Sequence, residues 1–371
     1  MKLKQRWQQR VAERHSQGLL RGHDVNQLSQ RGVVNFSSND YLGLSQATAV
    51  KQAFCEGIAQ YGSGSGASPL VTGYFPAHRE LEAALCDWLN QPRALLFSSG
   101  FAANQAALFS LLDKGDVLLQ DRLNHASLIE AGLLSNATQW RFRHNDMHDL
   151  SRLCQRHSAE MVVTEGVFSM DGDMAPLPDI AKISSEANSV LMVDDAHAIG
   201  VVGEQGEGSA SQISPDITLV TFGKALGVAG AALVCSEAVY DYLLQFARHY
   251  TYSTAMPPAQ ALAVYQSIRL AQSERWRREK LASLSALFYQ HLPEPLRSPY
   301  TATPIKPVIM ENADQALAVS QQLLSGGFKV SAIRPPTVPT SRLRITLSCD
   351  HQPHEVIALC RALDKATEAI C

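Results

Sequence analysis

No stretch of this chain runs unbroken through the roughly 20 apolar residues that a membrane helix needs, so no spanning helix is expected. Charge of one sign is also lacking: 32 lysines and arginines face 35 aspartates and glutamates. That balance gives no broad field for nucleic acid or for an anionic membrane. The seven cysteines (Cys55, Cys86, Cys154, Cys235, Cys349, Cys360 and Cys371) include no CxxC pair. Their odd number and scattered spacing argue against a zinc ribbon or a disulfide framework and suit a reducing cytosol. The opening segment, Met1 to Arg21, is charged and lacks the apolar core of a secretory signal. Internal repeats and low-complexity tracts are missing too. A soluble cytoplasmic protein is the expectation.

What is present is a chain of 371 residues, long enough for one large domain and a smaller one. The expected division is an N-terminal arm over 1–43, a large domain over 44–275 and a small C-terminal domain over 276–371. Trp7, Val11, Leu19 and Leu20 suggest an amphipathic helix ending near Gly22. Short apolar runs at Ala94–Phe97, Val117–Leu119, Met161–Thr164, Val190–Val193 and Ile217–Thr221 alternate with helix-length segments. Such runs indicate parallel strands buried on both faces, hence an α/β sheet with right-handed crossovers. A charged helix from Ser273 to Leu287 is expected to leave this domain. Candidate strands near Ile305–Met310, Phe328–Ala332 and Leu343–Leu347 make the remainder a small α+β unit.

In open parallel sheets, ligands sit beyond the carboxyl ends of the strands. The chemically interesting residues follow strands here: Ser169, then Asp194 and His197, then Lys224. Lys224 lies in Thr218-Leu-Val-Thr-Phe-Gly-Lys-Ala-Leu-Gly227. A lysine just past an apolar strand is poorly solvated, which favours the neutral amine and so Schiff-base chemistry. An ordinary loop lysine would read the same on this segment alone. A Walker A loop is excluded because Ala225 follows Gly223-Lys224. Asp194 ends its strand and must be paired if buried; its neighbour Asp195 competes for any role. His197 and His125 could each bond or stack on a ring. His144 and His148 have helical i,i+4 spacing, but Asn145 stands where a zinc-binding helix of that type needs glutamate. No metal site is expected. Phe97-Ser-Ser-Gly-Phe-Ala-Ala-Asn104 runs from strand through glycine into an alanine-rich helix, a good place for an anion. Gly62-Ser-Gly-Ser-Gly-Ala67 departs from GxGxxG and lacks a strand before it. It reads as close backbone packing near substrate or a dimer interface.

Taken in order, Asn35-Phe-Ser-Ser-Asn-Asp-Tyr-Leu-Gly-Leu44, Glu165-Gly-Val-Phe-Ser-Met-Asp-Gly-Asp173, Val193-Asp-Asp-Ala-His197, Thr221-Phe-Gly-Lys-Ala-Leu-Gly227 and Tyr252-Ser-Thr-Ala-Met-Pro-Pro258 resemble the α-oxoamine synthases. These are pyridoxal 5'-phosphate (PLP) enzymes of the aspartate-aminotransferase fold, fold type I. The resemblance covers nearly the whole chain. It implies PLP held as an aldimine on Lys224, with Asp194 on the pyridine nitrogen, His197 on the phenolic oxygen, His125 stacked on the ring and Ser169 in contact. It further implies that Gly100, Phe101 and Thr221 bind the phosphate, joined by Ser253 and Thr254 from the second subunit of a homodimer. Arg334-Pro-Pro-Thr-Val-Pro339 and Phe246-Ala-Arg-His249 are similar to the branch that condenses L-alanine with a pimeloyl thioester of CoA or acyl carrier protein. In that branch Thr337 would contact substrate, Arg344 would clamp the amino-acid carboxylate with Asn39, and Arg21 would lie near the acyl chain. Strand alternation puts Arg342 and Arg344 on one side, so only the motif favours Arg344. Departures are Pro69, Ala198-Ile199, and a short link between Val338 and Arg342. Glycine C-acetyltransferase and other members of the family share the PLP constellation. A PLP aminotransferase and a non-catalytic nucleotide-binding module are the readings from other classes.

Overall fold

The computed structural model describes residues 2–17, 19–20, 22 and 32–369. At its centre stand seven strands: β1 (Arg93–Phe97), β2 (Val117–Asp121), β3 (Thr138–Phe142), β4 (Met161–Glu165), β5 (Val190–Asp194), β6 (Ile217–Thr221) and β7 (Ala231–Cys235). Their order across the sheet is β1-β7-β6-β5-β4-β2-β3. The pairs β6–β5, β5–β4, β4–β2 and β2–β3 are parallel, whereas β7 runs antiparallel to both its neighbours.

Alternation along the strands explains why helices cover both faces. Leu219, Ala231 and Leu233 join a core with Leu95, Leu118 and Met161. Val220, Ala232 and Val234 instead join Leu81, Val264 and Ile268 in a core on the other side. A sheet buried on both faces needs apolar residues at successive positions, and β7 is buried throughout.

Five of the seven strands fall where the apolar runs predict them, within a residue or two at their ends. Two escape that reading. Ala231-Ala-Leu-Val-Cys235 is alanine-rich, and alanine is not a strand former. Thr138-Gln-Trp-Arg-Phe142 is an edge strand in which only Phe142 is buried, and Thr138, Gln139 and Arg141 break the apolar run. The N-terminal helix spans Leu3–Ser16, so Leu19 and Leu20 lie beyond it and the expected end near Gly22 is too late. None of its residues is buried; Trp7 and Val11 are exposed. The expected helix from Ser273 to Leu287 is present as Trp276–His291, beginning and ending a few residues later; Ser273 closes the preceding helix, Pro258–Ser273.

A second sheet has three antiparallel strands in the order Ser331–Ile333, Arg342–Thr346, Ile305–Ile309. The predicted strand near Phe328–Ala332 divides in two. Phe328–Lys329 pairs in parallel with Val34–Asn35, and Ser331–Ile333 turns to pair with Arg342–Thr346. Val308, Leu343, Ile345, Leu359 and Leu363 of this region share the core that holds Val220 and Val234. That continuous packing fixes the arginine-bearing strand against the rim of the large sheet. No helix among the described residues is long and apolar enough to cross a membrane.

Candidate active site

The carboxyl ends of β1, β2, β4, β5 and β6 open on one rim, where a cavity of about 410 Å³ lies. Its walls include Asn39, Gly100, Phe101, His125, Asp194, His197, Thr221 and Lys224, so eight of the sequence-predicted residues meet there. Each arrives for a local reason. Glu165 and Asp194 are the last residues of adjacent parallel strands and stand in register. Lys224 follows β6 by three residues, in a tight turn where the Gly227 N–H donates to the Lys224 carbonyl at 2.9 Å. His125 precedes the helix Ala126–Leu134, and its Nδ1 accepts from the Ser127 N–H at 3.2 Å.

The two neighbouring aspartates have different environments. Asp194 Oδ2 accepts from Asn104 Nδ2 at 2.9 Å, Oδ1 accepts from the Ala196 N–H at 3.1 Å, and the residue lines the cavity. Asp195 is fully buried and turned away, bonded to the Ser209 hydroxyl and to the Ala210 N–H at 3.1 Å. Burial pushes the Asp195 carboxyl up to about 6.

Burial also governs the bases. It draws the Lys224 amine down to about 8, against the opposing pull of Asp194 and Glu165. His197 is driven well below the usual imidazole range, first by burial and then by Lys224, Arg344 and His125. Its Nδ1 is 2.6 Å from the Tyr41 hydroxyl. His125 is lowered as well, chiefly by burial. The Glu165 carboxyl is raised well above its usual value by burial and by Asp194.

The cavity wall also holds the start of the helix Gly100–Leu111, capped by the Ser99 hydroxyl, which accepts from the Ala102 N–H at 3.2 Å. A Cβ on Gly100 would meet Thr221 Cγ2 at 2.7 Å. Glycine therefore lets the first turn of this helix lie directly against Thr221, and the first N–H groups of a helix are suited to an anion.

The remaining predicted residues lie outside the cavity wall. Arg344 is buried behind it: Nε donates to the Ser169 carbonyl at 2.6 Å, and Nη1 to Asn39 Oδ1 at 3.0 Å and to Thr346 Oγ1 at 3.1 Å. Arg342 points elsewhere, pairing with Asp171. Ser169 is buried one loop away, with its carbonyl on Arg344. Ser253 is half-buried and Thr254 exposed. Thr337 lines two separate surface clefts, one with Arg14 and Arg334 and one with Arg122, Arg141 and Arg143. Arg21 lies outside the described residues.

Four polar residues at the site escape the sequence reading: Tyr41, Asn104, Ser127 and Glu165. Asn104 holds both Asp194 and the Ser127 hydroxyl, each at 2.9 Å. Its signal was its place one helical turn after Gly100, which puts both on one face. Glu165 could have been found from its position at the end of the strand beside Asp194.

Residues 31–363 match the family model described as aminotransferase class I and II. The chain is 52% identical over 377 residues to the 8-amino-7-oxononanoate synthase of Vibrio atlanticus, covering 98% of this chain and 94% of the relative. It is also 52% identical to the enzyme of that name from Vibrio cholerae, covering 99% of each chain. Among solved structures it resembles a serine palmitoyltransferase variant from S. paucimobilis with a bound PLP–myriocin aldimine. There the TM-score is 0.87 at 29% identity, covering 91% of this chain and 88% of the other. The crystal structure of 8-amino-7-oxononanoate synthase from Francisella tularensis gives 0.80 at 30% identity, with 91% and 98% covered.

Proposed function

We propose, proceeding from the fact that this chain belongs to the class I and II aminotransferase family, that it binds PLP in the rim cavity and performs the reaction of an 8-amino-7-oxononanoate synthase. In that reaction L-alanine and a pimeloyl thioester give 8-amino-7-oxononanoate, carbon dioxide and the free thiol. One observation carries the reading. Lys224, Asp194, His197 and His125 line a single cavity together with the glycine that begins a helix.

The residues present fit such a cofactor. Buried Asn104 Oδ1 and Glu165 Oε1 have no hydrogen-bond partner among the described residues, and both residues line the cavity. Groups of this kind are costly to bury unless something polar meets them. A Cβ at Gly100 would crowd Thr221, so glycine brings the helix start and Thr221 together, where helix N–H groups and a hydroxyl suit a phosphate. When bound, PLP supplies a protonated ring that accepts the electron pair left by removal of the amino acid's α-proton.

Lys224 would hold the cofactor covalently at Nζ, Asp194 would face the pyridine nitrogen and His197 the phenolic oxygen. His125 would stack on the ring. Gly100, Phe101 and Thr221 would hold the phosphate with Ser253 and Thr254 of a second subunit. The latter pair stands away from its own chain's cavity wall, which suits a homodimer. With its amine free, Lys224 would act as the base that takes the α-proton. An amine drawn down to about 8 has a usable neutral fraction near pH 7. Arg344, fixed through Ser169 and Asn39, would hold the carboxylate and so orient the α-carbon. Orientation of this kind contributes several of the roughly 7–11 kcal/mol that positioning can supply.

The test is direct: incubate the protein with PLP, L-alanine and pimeloyl-CoA, or pimeloyl-acyl carrier protein, and assay carbon dioxide and the amino ketone by mass. The expected product is 8-amino-7-oxononanoate with at least one donor. Turnover of glycine with acetyl-CoA but not of these substrates would reassign the reaction within the family. Pyruvate released from alanine without any thioester would make the protein an aminotransferase.

A further inference from the structure

We infer that His144 is a positioning residue: an imidazolium gripped between Asp121 and Asp173 that locks the Ser169 hairpin against the His125 turn and so aims Arg344. Its ring lies in the loop after β3, where Asn145 adopts a left-handed φ of 51° and turns the chain inward. Nδ1 is 3.0 and 3.2 Å from the two carboxylate oxygens of Asp121, and Nε2 is 2.8 Å from Asp173 Oδ2. A neutral imidazole carries one N–H and would turn a lone pair on one of these carboxylates. Two carboxylates at two ring nitrogens therefore require both nitrogens to be protonated. Phe168 meets the ring edge to face, with centroids 4.4 Å apart.

The charge balance agrees. Burial works against the cation, but the hydrogen bonds to Asp121 and Asp173 and their charges outweigh it and raise the pKa to about 10. No other charged group faces the ring among the described residues. Adjacent Arg143 is directed at Asp146 and Asp149, and Asp171 is occupied by Arg342.

Both ends of the clamp lead to the site. Asp121 ends β2, and its Oδ1 accepts from the Leu123 N–H at 2.8 Å, shaping the turn that delivers His125. Asp173 closes the hairpin, its carbonyl accepting from the Phe168 N–H at 3.0 Å while the Gly172 N–H donates to the Phe168 carbonyl at 2.8 Å. Inside that hairpin Asp171 pairs with Arg342, and the Ser169 carbonyl takes Arg344 Nε. Loss of the imidazolium would therefore loosen the grip on an amino-acid carboxylate, while the PLP-facing residues of β5 and β6 keep their own supports.

The inference rests on the role proposed above for Arg344, and its test separates the two. In protein carrying ¹⁵N-labelled histidine at pH 8, both ring nitrogens of His144 should report as N–H. That needs neither cofactor nor turnover, and a neutral ring at that pH overturns the clamp. In PLP-loaded His144→Gln and Asp173→Asn, the KM for L-alanine should rise about tenfold while that for the thioester stays within about twofold, an alanine-selective loss. Unchanged constants, or both rising together, contradict the positioning role even though wild-type turnover upholds the function. The clamp also contributes stability that is full below the free-imidazole value of 6.5 and is lost as pH rises through about 10. The wild-type melting temperature should accordingly fall more steeply than that of His144→Gln between pH 8 and 10.5; parallel curves would speak against the clamp.

Discussion

Lys224→Ala is expected to lower turnover of L-alanine and pimeloyl thioester by at least about a thousandfold, since it removes both the covalent anchor and the α-proton base. The variant should still fold. Lys224 gains little from its surroundings in the native state, because burial already draws its amine down to about 8. Removing a poorly solvated ammonium costs far less than removing a packed apolar side chain. The melting temperature should move by only a few degrees, while the borohydride-reducible bond to PLP disappears. Turnover near the wild-type level would remove the chain of reasoning at its base.

Asp194→Asn should rank next, lowering turnover by at least about a hundredfold, a loss of the size seen when a preorganised electrostatic partner is removed. Asparagine keeps the shape of the side chain and its contact region near Asn104. What it cannot supply is the negative charge that keeps the pyridine nitrogen protonated. PLP affinity should weaken in parallel, measurable by titration of the cofactor-free protein. Asp195→Asn is the informative control. Asp195 serves the Ser209 hydroxyl and the Ala210 N–H away from the cavity, so its loss should lower thermal stability more than it lowers PLP affinity. Reversed behaviour of the pair would mean that the other aspartate faces the ring.

The contrast between these aspartates shows what could be read from residues alone. Strand ends at Thr164, Asp194 and Thr221 were legible because doubly buried parallel strands leave unbroken apolar runs. That was enough to bring Asp194, His197 and Lys224 to one rim. Choosing Asp194 over Asp195 needed the family resemblance, since consecutive residues differ only in which face they present. Likewise alternation put Arg342 and Arg344 together. Their separation lies in three-dimensional partners, Asp171 for one and the Ser169 carbonyl with Asn39 for the other. Tyr41 and Asn104 stood inside motifs already singled out; Asn104 had the one signal of its helical spacing from Gly100, whereas Tyr41 shows its role only once its loop brings the hydroxyl to His197. Thr337 is a substrate contact on the motif alone, and in the fold it lines a surface cleft with Arg122, Arg141 and Arg143. Strand β7 was invisible for a different reason. Its alanines tolerate a buried strand only because the flanking strands and helices surround it.

A depressed lysine pKa by itself does not identify the site. Lys306 is fully buried, and burial draws its amine down to about 7. Yet its Nζ donates to the Thr301 carbonyl at 2.6 Å and lies 4.8 Å from the centre of the Tyr289 ring, and Lys306 is not among the residues lining the rim cavity. The decisive experiment is to load the protein with PLP, reduce with borohydride, digest, and locate the phosphopyridoxyl group by mass spectrometry. The account predicts the label on the peptide containing Lys224 and nowhere else. A label on Lys306 or another lysine, or no label on protein that has bound PLP, would contradict it.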